Sequence, residues 1–449
     1  MKIRIGLLSL LVLLAVSAKA TDVMFFVDAE DYTSDFSSDA IRDLAKLFDE
    51  EQVCAQFNVV GYLARQLRQQ GRDDVFRALK PHLIGSHTLY YAKRPTVAEA
   101  TDVADAAQAG RLAMAEESLS LGLIKSSFGL RDVSFHSPSG PYSYAALYAA
   151  SDLGMKFCVG SGLNGLSTGG SFWYCGLLHL PVLADGQFSL ESLMPPAPEP
   201  DFAAVLDRLA SEQYVGLCVE SSFVACRERW TKLNFNPRKP VAFGEWKKNT
   251  RRPAADVSMF YERLRKLIRA IRADQRFRLV TVMDYAETLP LRRPITLRDV
   301  PTIRHELQQK FGPLTDPSLS LSDVYQACVD LLNGEKSFLP GRVRGFLEEP
   351  EGVKVETVVD AAELREATSH LTDVDYIPAR ITVGKTILGP ADFVMAALEI
   401  LETGAKSVKV SPRDQLALPN GKWPIKSGKD KFLSDRLRLQ SWTLRYESR

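Results

Sequence analysis

Val23-Met24-Phe25-Phe26-Val27-Asp28-Ala29-Glu30-Asp31 joins an unbroken apolar run to three carboxylates. Five apolar residues without alternation read as a strand buried on both faces, the habit of a parallel sheet covered by helices. The carboxylates stand where that strand ends, and strand ends are where α/β folds place reactive groups. Three carboxylates in four residues repel one another unless a cation or a shared proton relieves them. One reading is a hydrolytic site, with one carboxylate on a divalent metal and another taking a proton from water. The other is an acidic loop or a helix cap.

Working outward, strands and helices alternate. Ser37 or Ser38 can cap a helix whose apolar stripe is Ile41, Leu44, Leu47 and Phe48. Residues 55–60 read as a second strand, followed by a helix through Leu63 and Leu67. A third strand begins at His82 and ends near Gly85-Ser86-His87-Thr88. A neutral imidazole at a strand end suits a metal ligand. Further helices fall over about residues 97–121, 144–153 and 256–273, and strand-like runs at 133–135 and 279–282. Such units make an α/β fold with a parallel sheet, open or closed into a barrel.

The order of these pieces carries a resemblance. Val27-Asp28-Ala29-Glu30-Asp31, then Cys54-Ala55-Gln56-Phe57-Asn58-Val59-Val60-Gly61, then His82-Leu83-Ile84-Gly85-Ser86-His87-Thr88 resembles the polysaccharide deacetylases of the NodB homology type, carbohydrate esterase family four. Phe172-Trp173-Tyr174-Cys175-Gly176, Trp230-Thr231-Lys232-Leu233-Asn234-Phe235 and Gly244-Glu245-Trp246-Lys247 extend it over about residues 22–290. The resemblance implies a distorted (β/α) barrel. It implies that Asp28 is the base, that Glu30 or Asp31 is the carboxylate ligand, and that His87 is the first His ligand. Tyr91 stands where the second His ligand falls. His136 lies near the place of an Arg that orients the base, and Glu220 near the place of the general-acid His. His136, Trp173 and Tyr174 are the substrate-side candidates, although such rings also pack in cores. The implied reaction is metal-assisted removal of acetyl from an N-acetylated glycan, with zinc the family's usual ion. Tyr91 and Glu220 in place of histidines imply the alternative, a non-catalytic glycan- or cell-wall-binding protein whose degenerate site holds no metal.

The whole chain fits an exported protein. Its 449 residues are 45% hydrophobic and 25% charged, with a net charge of +1. That is globular composition, with no field to steer nucleic acid or membrane. Lys2 and Arg4, an apolar run over 7–16 and Ala18-Lys19-Ala20 read as a signal peptide over residues 1–20. The expected location is secreted or periplasmic, with no later transmembrane segment. The barrel is expected over 21–294, a small mainly helical repeat module over 301–410, and a tail over 411–449. In the module, 323–332 echoes 392–401 and 338–343 echoes 376–381. This faintly resembles pseudomurein-binding repeats, which implies a binding or packing role. Six cysteines are present, as disulfides or buried thiols, and Cys218 and Cys226 are close enough to pair.

Overall fold

A computed structural model describes residues 20–446, apart from 139–141, 184–187, 237–238, 290, 342, 373 and 426–430, with the backbone alone at 431–434. The signal-peptide reading therefore lies outside the described residues, save Ala20. No described helix is long and apolar enough to cross a membrane.

The apolar run at 23–27 is the middle of strand β1 (Thr21–Ala29). The other strands of its sheet are β2 (Gln56–Val59), β3 (Leu83–Ser86), β4 (Phe135–His136), β5 (Phe157–Gly160), β6 (Phe172–Tyr174), β7 (Leu177–Pro181), β8 (Tyr214–Glu220) and β9 (Phe277–Leu279). Their order is β6-β7-β5-β4-β3-β2-β1-β8, with β9 on the first residues of β1. All pairings are parallel except β6 with β7. The sheet curls until β7 comes round to the edge strand β8: the Leu183 amide, past β7, donates to the Gly216 carbonyl of β8 at 2.9 Å. Gly216 permits this approach, since a Cβ there would lie 2.8 Å from the Pro181 carbonyl oxygen. The result is a distorted, barely closed (β/α) barrel.

Strand parity divides the core in two. Val23, Phe25 and Val27 face the surrounding helices, among them Asp35–Glu50, Gly61–Gln69 and Ala254–Ala273. Met24 and Phe26 face inward and meet Phe135, Phe157, Val159, Leu178, Leu180 and Tyr214. The interior is thus plugged by side chains. Asp28 has the parity of Met24 and Phe26, so it stands on top of this plug at the C-terminal mouth.

The second unit is mainly helical, as expected: it is built on the helices Val300–Gln309, Leu321–Leu332, Ala361–Thr368 and Pro390–Thr403 and adds three short two-stranded antiparallel ladders. The two echoing helices pack together, with Tyr325 and Phe393 rings 5.3 Å apart. One expectation is corrected: no tail begins at 411. Trp442 is fully buried in the second core, while Leu437 and Leu444 are buried in the first. Arg445–Tyr446 then adds an antiparallel strand to β6. The physical reason is apolar payload: a segment with Leu437, Leu439, Trp442 and Leu444 cannot stay solvated.

Candidate active site

Asp28 sits in register with Asn58 on one side and Glu220 on the other. In-register residues of parallel strands share a face, so the three side chains crowd the mouth together. Asn58 Nδ2 donates to Asp28 Oδ1 at 2.6 Å, and the Cys218 thiol faces Oδ2 at 3.5 Å. With His87, Tyr91, Ser137, Tyr142 and Ser161 they line a cavity of about 240 Å³. Tyr142 packs against Gly162, where a Cβ would come within 2.1 Å of its ring.

The choice between Glu30 and Asp31 is made by their neighbours. Asp31 turns to the following helix: Oδ1 accepts from the Thr33 amide and hydroxyl at 2.7 and 2.6 Å, and Oδ2 from Ser37 Oγ at 2.6 Å. It therefore ties down the start of the helix, and Ser37 lies inside the first turn instead of capping it. Glu30 turns to the site. Its Oε1 accepts from Trp230 Nε1 at 2.5 Å and Ser222 Oγ at 3.0 Å, while Oε2 has no hydrogen-bond partner. Burial pushes the Glu30 carboxyl well above the usual range, helped by Glu220 and Asp28 and opposed by the two donors.

His87 presents one ring edge to Glu30. Its Nδ1 lies 2.8 Å from the Ser137 carbonyl oxygen, which can only accept, so Nδ1 carries the hydrogen. Nε2 is left as a lone pair with no hydrogen-bond partner, 3.9 Å from Glu30 Oε2. Burial holds the imidazole below its ordinary pKa, so it is neutral. The loop after β3 is strained: Thr88 and Tyr91 take left-handed φ values of 61° and 56°. This turn lays the Tyr91 ring on the His87 ring, centroids 4.3 Å apart and planes 25° apart. Burial, then Glu30, Asp28 and Glu220, hold Tyr91 as a phenol.

Glu220 is at the rim. Arg229 Nη1 donates to it at 2.8 Å, and Arg229 Nη2 donates to both oxygens of Glu191. Burial pushes Glu220 up to about 7; Arg229 opposes this, and Asp28 and Glu191 add to it.

Three substrate-side expectations are corrected. His136 is fully buried, with Nδ1 3.6 Å from Glu117 Oε2 and away from the cavity lining. Burial, then His87 and His179, lower it to about 3, and burial raises Glu117, so the two form a neutral pair. Tyr174 is fully buried and its hydroxyl donates to the Leu437 carbonyl. Trp173 is half-buried beneath the Arg445 guanidinium, 4.4 Å above its ring, and lines a different cavity. The C-terminal segment meets both, Leu437 at Tyr174 and Arg445 at Trp173. Asn58, Tyr142 and Trp230 are functional candidates that sequence reasoning passed over. Asn58 had a signal, a polar residue inside a buried strand. All six cysteines are free thiols.

The donor set does not make a catalytic zinc site. Such a site keeps three protein ligands and an open position. Glu30 Oε2 and His87 Nε2 are two, Tyr91 is an un-ionised phenol stacked on the imidazole, and Asp31 is spent on its helix. Among the described residues no group of three His, Cys, Asp or Glu is placed to hold an ion.

Fold and pocket together define a (β/α)-barrel protein with an acidic, imidazole-bearing mouth. No family model and no curated protein matches the chain. Among solved structures it is similar to a putative polysaccharide deacetylase from Mycobacterium smegmatis, with 14% identity and a TM-score of 0.39 over 67% of this chain and 96% of that one. It is similar to a family 4 carbohydrate esterase from Streptomyces lividans, with 10% identity and a TM-score of 0.31 over 59% and 93%. It is also similar to a CE4 family pseudoenzyme from Bacillus anthracis, with 10% identity and a TM-score of 0.28 over 46% and 57%. The chain thus spans little more than half the length of that pseudoenzyme. At these values the chemistry of the pocket rests on its own atoms.

Proposed function

We propose that the chain is a glycan-binding protein on a deacetylase-type barrel, acting outside the cytoplasm, whose mouth receives one sugar without hydrolysing it. The observation that carries this reading is Tyr91 stacked on His87 where a further metal ligand would be needed. Without that ligand the site lacks the Lewis acid on which amide hydrolysis by such a set depends. The order of the sequence motifs supports the glycan, and the basic start and apolar run at the N-terminus support export. A second reading, a metal-dependent amide hydrolase that removes acetyl groups, is favoured by one observation: the unpartnered Glu30 Oε2 and His87 Nε2 face each other.

Zinc titration separates the two, measured calorimetrically on wild type, His87→Ala and Tyr91→His, alongside acetate release from an N-acetylated oligosaccharide. Under the first reading wild type binds zinc no better than His87→Ala and releases no acetate, and Tyr91→His gains about tenfold or more in affinity from a third donor. Tight zinc binding by wild type that His87→Ala abolishes, with acetate release, turns the assignment to the hydrolase.

A further inference from the structure

Resting on the glycan-binding reading, we propose that the glycan carries an acidic sugar next to the uncharged one in the mouth, and that a basic groove beside Glu220 takes its anionic group. The net charge of +1 conceals a local excess: residues 226–252 hold nine Lys and Arg against two Glu, with no Asp or His. Five of these cations, Arg227, Lys232, Lys239, Lys247 and Arg251, are exposed and enter no ion pair among the described residues. The others are engaged where the structure describes them. Lys248 pairs with Asp35, Arg229 pairs with Glu220 and Glu191, and Arg252 Nη2 donates to the Phe223 and Cys226 carbonyls.

The second observation is that this basic stretch is held in place. It forms an excursion between β8 and the helix Ala254–Ala273, and its ends meet in an antiparallel bridge of Cys226 with Arg251. The Asn234 side chain accepts from the Lys247 amide at 2.8 Å and donates to the Lys247 carbonyl at 2.9 Å. Trp230, Phe235 and Trp246 gather round the Tyr32 ring, with centroids 5.1, 6.0 and 5.1 Å away. The rings turn inward and the charges are displayed outward. Ordered cations without carboxylate partners repel one another, and an anionic ligand relieves that repulsion.

Position then selects the ligand. Arg227, Arg229 and Lys232 line one groove of about 500 Å³ with Phe223 and Leu233. Glu228 is the acid on its wall, and its carboxylate accepts from the Thr250 amide. Arg229 joins this groove to the mouth, because it also donates to Glu220, which lines the mouth cavity. The surface is therefore acidic at the mouth, where Asp28 and Glu220 stand, and basic one residue away. A ligand charged at every unit, such as a nucleic-acid strand, would set an anion against those carboxylates. A glycan that joins an uncharged unit to an acidic one meets the matching surface with each. Phe243, exposed on the same excursion with its ring 4.7 Å from Trp246, adds an apolar face for a sugar ring.

The test is calorimetric titration of the full chain with a tetrasaccharide that alternates glucuronate with N-acetylglucosamine, an N-acetylglucosamine tetramer and a thymidine tetranucleotide. The expected result is that the alternating tetrasaccharide binds at least about tenfold more tightly than either other ligand, and that high salt narrows the gap. Arg227→Gln combined with Lys232→Gln should bring it down to the level of the uncharged tetramer. Both side chains are exposed, and thermal melts of the double variant show whether a loss reflects unfolding. Equal or tighter binding of the uncharged tetramer overturns the acidic sugar and leaves the glycan-binding reading intact. An advantage that survives the double substitution overturns the groove. The tetranucleotide binding as tightly as the alternating tetrasaccharide overturns the proposal by removing the sugar. Failure of both tetrasaccharides overturns both readings.

Discussion

Tyr91 decides more of the chemistry than any other residue, and its influence was half legible in the sequence. The spacing from His87 marked it as the place of a missing imidazole. That it would stack on His87 depends on left-handed backbone at positions 88 and 91, which no residue type there announces. The Glu30 or Asp31 question was closed to sequence for a similar reason. It is answered by Thr33 and Ser37 nearby and by Ser222 and Trp230 some 190–200 residues on. Glu220 offers a test at this scale. Its carboxyl is raised to about 7, against about 4.3 in an unfolded chain. Between those values the folded state holds more protons than the unfolded state, so stability falls as pH rises, and the loss levels off above about 7. Urea unfolding across that window should show the fall, and Glu220→Gln should flatten part of it; an unchanged slope would place the carboxylate in a better-solvated setting.

Among the elements, β1 was the most readable because a central parallel strand needs apolar residues on both faces. Parity then fixed Asp28 at the mouth, since the inward set is Met24, Phe26 and Asp28. Other elements hid their roles. β4 has two residues, too few for any periodicity, although it aligns β3 with β5. The strand expected at 279–282 ends at Leu279 because Thr281 caps the next helix, accepting from the Asp284 amide. Closure of the sheet was the least visible feature, marked among the described residues by the hydrogen bond from the Leu183 amide to Gly216. Gly216→Ala would drive its Cβ against the Pro181 carbonyl and the Tyr214 hydroxyl, 2.8 and 2.5 Å away. The expected cost is about 1–3 kcal/mol in urea unfolding, because overpacking at backbone atoms leaves little room to relax. A variant as stable as wild type would mean that β7 and β8 part without penalty.

At the scale of the molecule, the strap from Leu437 to Tyr446 makes barrel and second unit depend on each other. Tyr148 on the helix Tyr144–Asp152 donates to Gln440 Oε1 at 2.6 Å and accepts from the Gly345 amide. Arg344 pairs with Asp152 at 2.6 Å and lies over the Tyr148 and Tyr376 rings. Trp442 fills the second core while its neighbours Leu437 and Leu444 fill the first. Repeat-like helices beyond residue 300 suggested two units that part near residue 294. Long-range pairing of residues 437–446 is the kind of contact a linear reading misses. A chain cut near 294 would bare β6, with Trp173 and Tyr174 on it, as an unpaired edge, a template for aggregation. We expect that truncated chain to be insoluble or to melt far below the full protein. Trp442→Ala tests the same coupling in the intact chain, with an expected cost of about 3–5 kcal/mol from an emptied core site. In the variant, hydrogen exchange should quicken in β6 and β7 as well as in Leu321–Leu332, because the strap reports to both cores. Exchange that quickened in the second unit alone, or a soluble and cooperative chain ending near 294, would return the barrel to the independence its sequence suggested.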